Sequence, residues 1–155
     1  MRFLCIAILI GLPICLLGQE KPKEKFTLSE DEQGVLDRTN AERKAAGFGP
    51  LKASPKLFQA ARAHSENMAN QSKLEHELDG KRVADRVRAL RYSYKMCGEN
   101  IAWNSQNPEQ VVKCWMDSPG HRANLLMKDY TEIGIGVAKN DKGEPYWTQV
   151  FGRPR

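Results

Sequence analysis

Residues 97–126 read CGENIAWNSQNPEQVVKCWMDSPGHRANLL, and how this stretch folds decides the rest. Gly98-Glu99-Asn100 reads as a turn that presents one carboxylate, and Ile101-Ala102-Trp103 runs on as an extended apolar piece. Asn107-Pro108-Glu109 is a helix start, a cap residue followed by proline at the first helical position. Val111, Val112 and Trp115 then recur at helical spacing. Pro119 disfavours helix at Ser118, so that helix stops near Asp117. A second, short helix runs through Leu126 with His121 in its first turn. Glu99 and His121 therefore stand at opposite ends of a short apolar segment. They meet only if the chain folds back, and folding back makes a cleft. His76 lies upstream in a loop, away from any apolar stripe, and is expected to face the same cleft.

On the amino-terminal side, Ser29 and Glu32 form a capping box in which each side chain covers an orphan backbone N–H. Val35, Leu36, Thr39 and Arg43 follow at helical spacing, and Gly47 supplies the left-handed residue that ends the helix. Ser54-Pro55 opens a second helix with Leu57, Ala61, His64 and Met68 on one stripe. His64 faces the core there, which favours a packed histidine with one satisfied nitrogen over a metal ligand. A short amphipathic helix is expected from Val83 to Leu90, with Arg82, Arg86, Arg88 and Arg91 forming a solvated face beside Asp85.

On the carboxy-terminal side, Glu132 to Lys139 (EIGIGVAK) alternates as a strand, with Ile133, Ile135 and Val137 on one face. Gly134 and Gly136 on the other face leave room for close packing. Asp141-Lys142-Gly143 is a hairpin turn, and Pro145 to Phe151 (PYWTQVF) is the returning strand. Helices that precede a closing hairpin, with extended pieces near Pro50-Leu51 and Cys97 to Trp103, imply an α+β domain. Its small, mainly antiparallel sheet is covered by helices.

A chain of 155 residues has room for one domain. Met1-Arg2 followed by the apolar run Phe3 to Leu17 has the length of a signal-peptide core and is short for a membrane span. Cleavage is expected after Gly18, with residues 19–28 as a charged linker and residues 29–153 as the folded domain. Loss of residues 1–18 removes Arg2 and no other charge, so the formal net charge goes from +5 to +4. The basic residues are spread along the chain, which argues against a nucleic-acid groove. No stable membrane insertion is expected once the leader is gone. Cys5 and Cys15 leave with it. Cys97 and Cys114 remain in an oxidising compartment, where a disulfide between them would add roughly 3 kcal/mol in the loop-entropy model. Two buried free thiols are the alternative.

These residues resemble the CAP superfamily, the SCP-like domain of cysteine-rich secretory proteins, antigen 5 and plant pathogenesis-related 1 proteins. The matching marks are Asn40-x-x-Arg43 before Pro50-Leu51, the isolated His76, Gly98-Glu99-Asn100-Ile101-Ala102, Trp115 followed by Gly120-His121, and IGIGVAK…YWTQVFG at the end. The match covers about residues 31–152 and is most similar to bacterial members. The resemblance implies a three-layer α-β-α sandwich with a central cleft. In many members two histidines and two glutamates line that cleft and can hold a divalent metal. His76, Glu99 and His121 match three of the four positions, and Ser118 stands where the second glutamate is expected. Asp117 is next to it, but one residue along a helix turns a side chain by about 100°.

Two imidazoles and a carboxylate are a sound ligand set for zinc or another divalent cation, with one position left for water. A zinc-bound water approaches a pKa of about 7 and is a nucleophile. His76, Glu99 and His121 would then carry a metal-dependent hydrolase or peptidase. The favoured reading is a non-catalytic binding module. Its cleft floor is made by the same side chains, with Trp103 or Trp147 offering apolar contact to a small lipid, glycan or peptide ligand. Ser118 beside His121 reads as a helix cap rather than a nucleophile.

Overall fold

In the chain's computed structural model residues 26–155 are described. The expected leader and residues 19–25 of the linker lie outside the described residues. The sheet is built on the closing hairpin. Strands β3 (Glu132–Lys139) and β4 (Pro145–Pro154) pair antiparallel, with Ile135 opposite Gln149. β2 (Tyr94–Trp103) adds antiparallel to the far side of β4, with Glu99 opposite Val150. The two-residue β1 (Lys52–Ala53) pairs parallel with β3. The order is β1-β3-β4-β2, so β2 is an outer strand.

Side chains alternate across a sheet, and here the two faces have different partners. Ile133, Ile135, Trp147 and Phe151 point to the face covered by α1 (Glu30–Ala45), α4 (Pro108–Asp117) and α5 (Pro119–Leu125). Val150 and Cys97 point to the face covered by α2 (Pro55–Gln71) and α3 (Val83–Ala89). The result is the expected α-β-α sandwich. On β3 the glycines make the second face possible. A Cβ at Gly134 would collide with the Leu57 and Phe58 backbone, and one at Gly136 would lie 2.5 Å from the Ala61 carbonyl carbon. No larger residue fits while α2 lies this close.

The helix starts follow the sequence. Ser29 Oγ accepts from Glu32 N–H, and Glu32 accepts from Ser29 N–H at 2.8 Å. Arg62 of α2 clamps the same Glu32 carboxylate through two bonds of 2.6 Å. Asn107 caps α4 by accepting from Gln110 N–H. Ser54 and Ser118 occupy cap positions without a side-chain cap bond. Gly47 is left-handed at φ 81° just past α1. Arg43, fully buried on α1, donates to the carbonyls of Gly49, Leu125, Met127 and Tyr130. It thereby satisfies carbonyls at and beyond the C-terminus of α5, where a cation is favoured.

Three expectations are corrected. Gly98-Glu99-Asn100 is not a turn but the middle of a ten-residue strand. The ladder to β4 runs through all three residues, and Gly98 leaves space that the Tyr130 hydroxyl fills. Cys97 and Cys114 are free thiols. Cys97 faces α2 and α3, whereas Cys114 is exposed on α4 across the sheet, so the two cannot bond without rebuilding the fold. Arg86 is not part of a solvated face. Arg82 and Arg88 do pair with Glu77 and Asp85 at the surface, but the Arg86 side chain is only 10% exposed and turns inward.

Candidate functional site

Glu99 is the centre of the site. Its position on β2 points it towards α2 and α3, where its side chain is 3% exposed. His76 Nδ1 lies 2.9 Å from Glu99 Oε1, the place from which Nδ1–H donates to the carboxylate. Arg86 reaches from α3 and donates through Nη2 to Glu99 Oε2. Its Nη1 donates to the carbonyls of His76, at 3.3 Å, and Lys81, at 2.7 Å. One guanidinium thus neutralises the carboxylate and pins the loop that carries His76. His64 Nε2 stands 3.8 Å from Glu99 Oε1, too far for a hydrogen bond.

His64 departs from its sequence reading. It is buried on the core side of α2, as expected, but neither ring nitrogen has a hydrogen-bond partner. Burial pushes its pKa down from 6.5, opposed by the Glu99 charge and by the nearby Glu75 carbonyl, with Arg86 and His76 lowering it further. A neutral ring results where desolvation outweighs a neighbouring carboxylate.

His121 is held by the opposite face of the same strand. Asn100, next to Glu99, points towards α5 and is fully buried. Its Nδ2 donates to the His121 carbonyl at 3.0 Å and to Gln149 Oε1 at 3.2 Å. Asn124 Nδ2 closes the arrangement on the Glu99 carbonyl and Asn100 Oδ1, each at 3.1 Å. The His121 ring is half-buried, with Nδ1 unpartnered. Its pKa is lowered by burial first and by the charge of His76 second.

His76 and Glu99 share an open hollow of about 440 Å³ with Glu75, Glu77, Arg82 and Val83. His121 is close enough to His76 to sense its charge but is not part of that lining. Of the three expected residues, the fold therefore brings two into one hollow and leaves the third at its margin. Ser118 is half-buried at the α4–α5 junction, and Asp117 turns outward to Lys113 at 2.6 Å. Trp103 is 46% exposed at the end of β2, while Trp147 is buried with its indole N–H on the Ser105 carbonyl.

As placed, His76, Glu99 and His121 do not stand together as a set of three ligands. Among the described residues, no three His, Cys, Asp or Glu side chains gather into a cation-holding group. Both Glu99 oxygens already face cationic or N–H groups, and the position expected to supply a second carboxylate carries Ser118. The functional residue that the sequence reading missed is Arg86. No sequence signal marks it: beside Arg82 and Arg88 on a very short amphipathic helix, its surroundings are those of a surface arginine.

The family model described as "CAP: Cysteine-rich secretory protein family" matches residues 36–151. An uncharacterized Bacillus subtilis protein, YkwD, is 38% identical over 126 residues, 81% of this chain and 48% of that protein. The chain thus spans about half the length of that relative. Among solved structures, an extracellular Bacillus anthracis protein containing a SCP domain aligns with TM-score 0.74 at 25% identity, over 83% of this chain and 45% of the other. An outer surface protein of Borrelia burgdorferi aligns with TM-score 0.78 at 21% identity, over 84% and 97% of the two chains.

Proposed function

Because the chain belongs to the CAP, or cysteine-rich secretory protein, family, we propose that it is a secreted, non-catalytic binding module whose His76–Glu99 hollow takes a glycan or peptide. The observation that carries this reading is the state of Glu99. Its carboxylate is enclosed and held by Arg86 on one oxygen and His76 on the other. A carboxylate so engaged is a poor general base, since catalysis needs an acceptor within reach of a substrate proton. What remains open to a ligand is the exposed His76 ring and the polar rim of Glu75, Glu77 and Arg82. Such a rim suits a partner that hydrogen-bonds along its length. Extracellular and outer-surface descriptions of the neighbours support export, as does the leader-like sequence of residues 1–18. No described helix is long and apolar enough to cross a membrane.

In this reading Arg86 is the cation of the cleft, and zinc is not its resident. The alternative, a zinc hydrolase or peptidase, requires Arg86 to release Glu99 and His121 to turn towards it. Calorimetry with zinc, together with an array of glycans and peptides, separates the two. The expected result is no micromolar zinc binding, and retention of a glycan or peptide that falls about tenfold or more in His76→Ala. Micromolar zinc binding abolished by His121→Ala, with zinc-dependent turnover, would establish the hydrolase instead.

A further inference from the structure

We propose that the bowl where α3 ends and β2 begins is a second binding site, taking a phosphate ester. It lies at the other end of α3 from the His76–Glu99 hollow. Arg82 and Val83, at the start of the helix, line that hollow, and Arg88, near its end, lines the bowl. The bowl holds about 270 Å³ between Arg88, Tyr92, Ser93, Tyr94, Lys95 and Arg155. Three of these side chains are cations and none is a carboxylate.

Local structure gathers the three cations from three elements. Arg91, left-handed at φ 55°, stops α3, and Tyr92 N–H closes the helix end on the Val87 carbonyl at 3.0 Å. The register shift between Tyr94 and Met96 puts Tyr94 beside Tyr92, and the two rings stack with centroids 6.4 Å apart. Arg88 lies against the Tyr94 ring, 5.8 Å from its centroid. Arg155, just past β4, is tied to the chain it crosses. Its N–H donates to the Ser93 carbonyl at 3.2 Å and its Nε–H to the Tyr94 carbonyl at 3.0 Å. Both Nη groups of Arg155 and the Lys95 Nζ are left without an acceptor among the described residues. Arg88 donates Nη1 to Asp85 at 3.3 Å, but both side chains are largely exposed, and such a pair holds weakly. Glu132 lies behind Tyr92 and is occupied by its hydroxyl.

Charge and geometry choose the ligand. The bowl faces solvent with three cations against one exposed acid at its margin, a positive field that an anion neutralises. A phosphate monoester carries about −1.5 to −2 charge near pH 7 and three acceptor oxygens. It can therefore take a guanidinium fork and the lysine charge together. A carboxylate has two oxygens and one charge, so it answers fewer of these donors. Arg155 is already fixed by its two backbone bonds, so less freedom is lost when it meets the ligand. The volume is below the range of about 300–1,000 Å³ for drug-sized ligands, which suits a small phosphorylated head group.

The test is an NMR titration of the full chain with glycerol 3-phosphate at about 0.15 M salt, where charges more than about 8 Å apart are largely screened. Saturable amide shifts at Ser93, Tyr94 and Lys95 are expected, with acetate weaker by about threefold or more. Arg88→Gln and Lys95→Ala alter exposed side chains, and each should weaken the ester by about threefold or more. Lys142→Ala removes the same charge from the β3–β4 turn, about 30 Å away along β4, and should leave the affinity unchanged. Cosedimentation with phosphatidylcholine vesicles, with and without phosphatidic acid, then assigns the source of the ester. Pelleting that needs phosphatidic acid and is lost in Lys95→Ala makes it a lipid head group, and no pelleting makes it a soluble ester. Shifts that never saturate, that acetate matches at equal concentration, that survive unchanged in both Arg88→Gln and Lys95→Ala, or that weaken as much in Lys142→Ala would overturn the proposal.

Discussion

Residue type and residue role part company most clearly at His64, Arg86 and Glu99. His64 was legible as a core-facing side chain because the stripe Leu57, Ala61, His64, Met68 fixes its direction. That it sits without a hydrogen bond was not legible, because its neighbours come from residues 75–99 and their approach is tertiary. The same applies to Arg86, whose sequence surroundings are those of a surface arginine. Burial pushes the pKa of His64 and of His121 down from 6.5. The unfolded chain therefore takes up these protons first, and stability is complete above pH 6.5 and is lost as pH falls below it. We expect the urea midpoint to drop between pH 7.5 and pH 5.5, and to drop less in His64→Phe than in the wild type. An equal drop in the two proteins would mean that the buried ring accepts its proton without penalty.

Among the elements, the closing hairpin and the helix starts were readable, and β2 was readable as an extended piece from Cys97 to Trp103 but not through its Gly98-Glu99-Asn100 middle. EIGIGVAK carries its own period and PYWTQVF repeats it, so each strand advertises two faces. Ser29 with Glu32 and Asn107 with Pro108 fix two helix starts by local chemistry alone. In β2 only Ile101-Ala102-Trp103 carries such a signal. Its glycine and asparagine look like turn residues, and it is a strand because β4 offers a ladder, which no window of ten residues contains. The glycines of β3 support a prediction at this scale. Gly134→Ala should cost about 3 kcal/mol or more in a denaturant melt, because the new methyl group meets the backbone of α2 rather than a side chain that could swing aside. Ala at Gly49, where nothing lies within 4 Å, should be near neutral and serves as the control. A change at Gly134 no larger than that control would mean that α2 can retreat from the sheet.

For the whole molecule, the sandwich follows from two faces needing two covers, and that much was foreseeable from helices flanking an alternating hairpin. The disulfide expectation failed at this scale. Cys97 and Cys114 are close in sequence, but a sheet stands between them. The cleft was half legible: His76 and Glu99 converge, while His121 belongs to the layer on the other side and reaches the margin only because β2 is an outer strand. Glu99 and Asn100 are adjacent in the chain yet serve opposite layers. One holds Arg86 and His76, and the other holds the His121 backbone. From Met96 onward the strand thus works as a parity code, odd positions addressing one compartment and even positions the other, while a register shift between Tyr94 and Met96 puts Tyr94 beside Cys97. Deleting one residue between Gly98 and Ala102 would exchange the addresses and send the carboxylate into the packing around Gln149, dismantling both halves together. A loss of cooperative unfolding in that deletion variant is the expected reading, and a melt like that of the wild type would mean that the ladder to β4 can re-register at little cost.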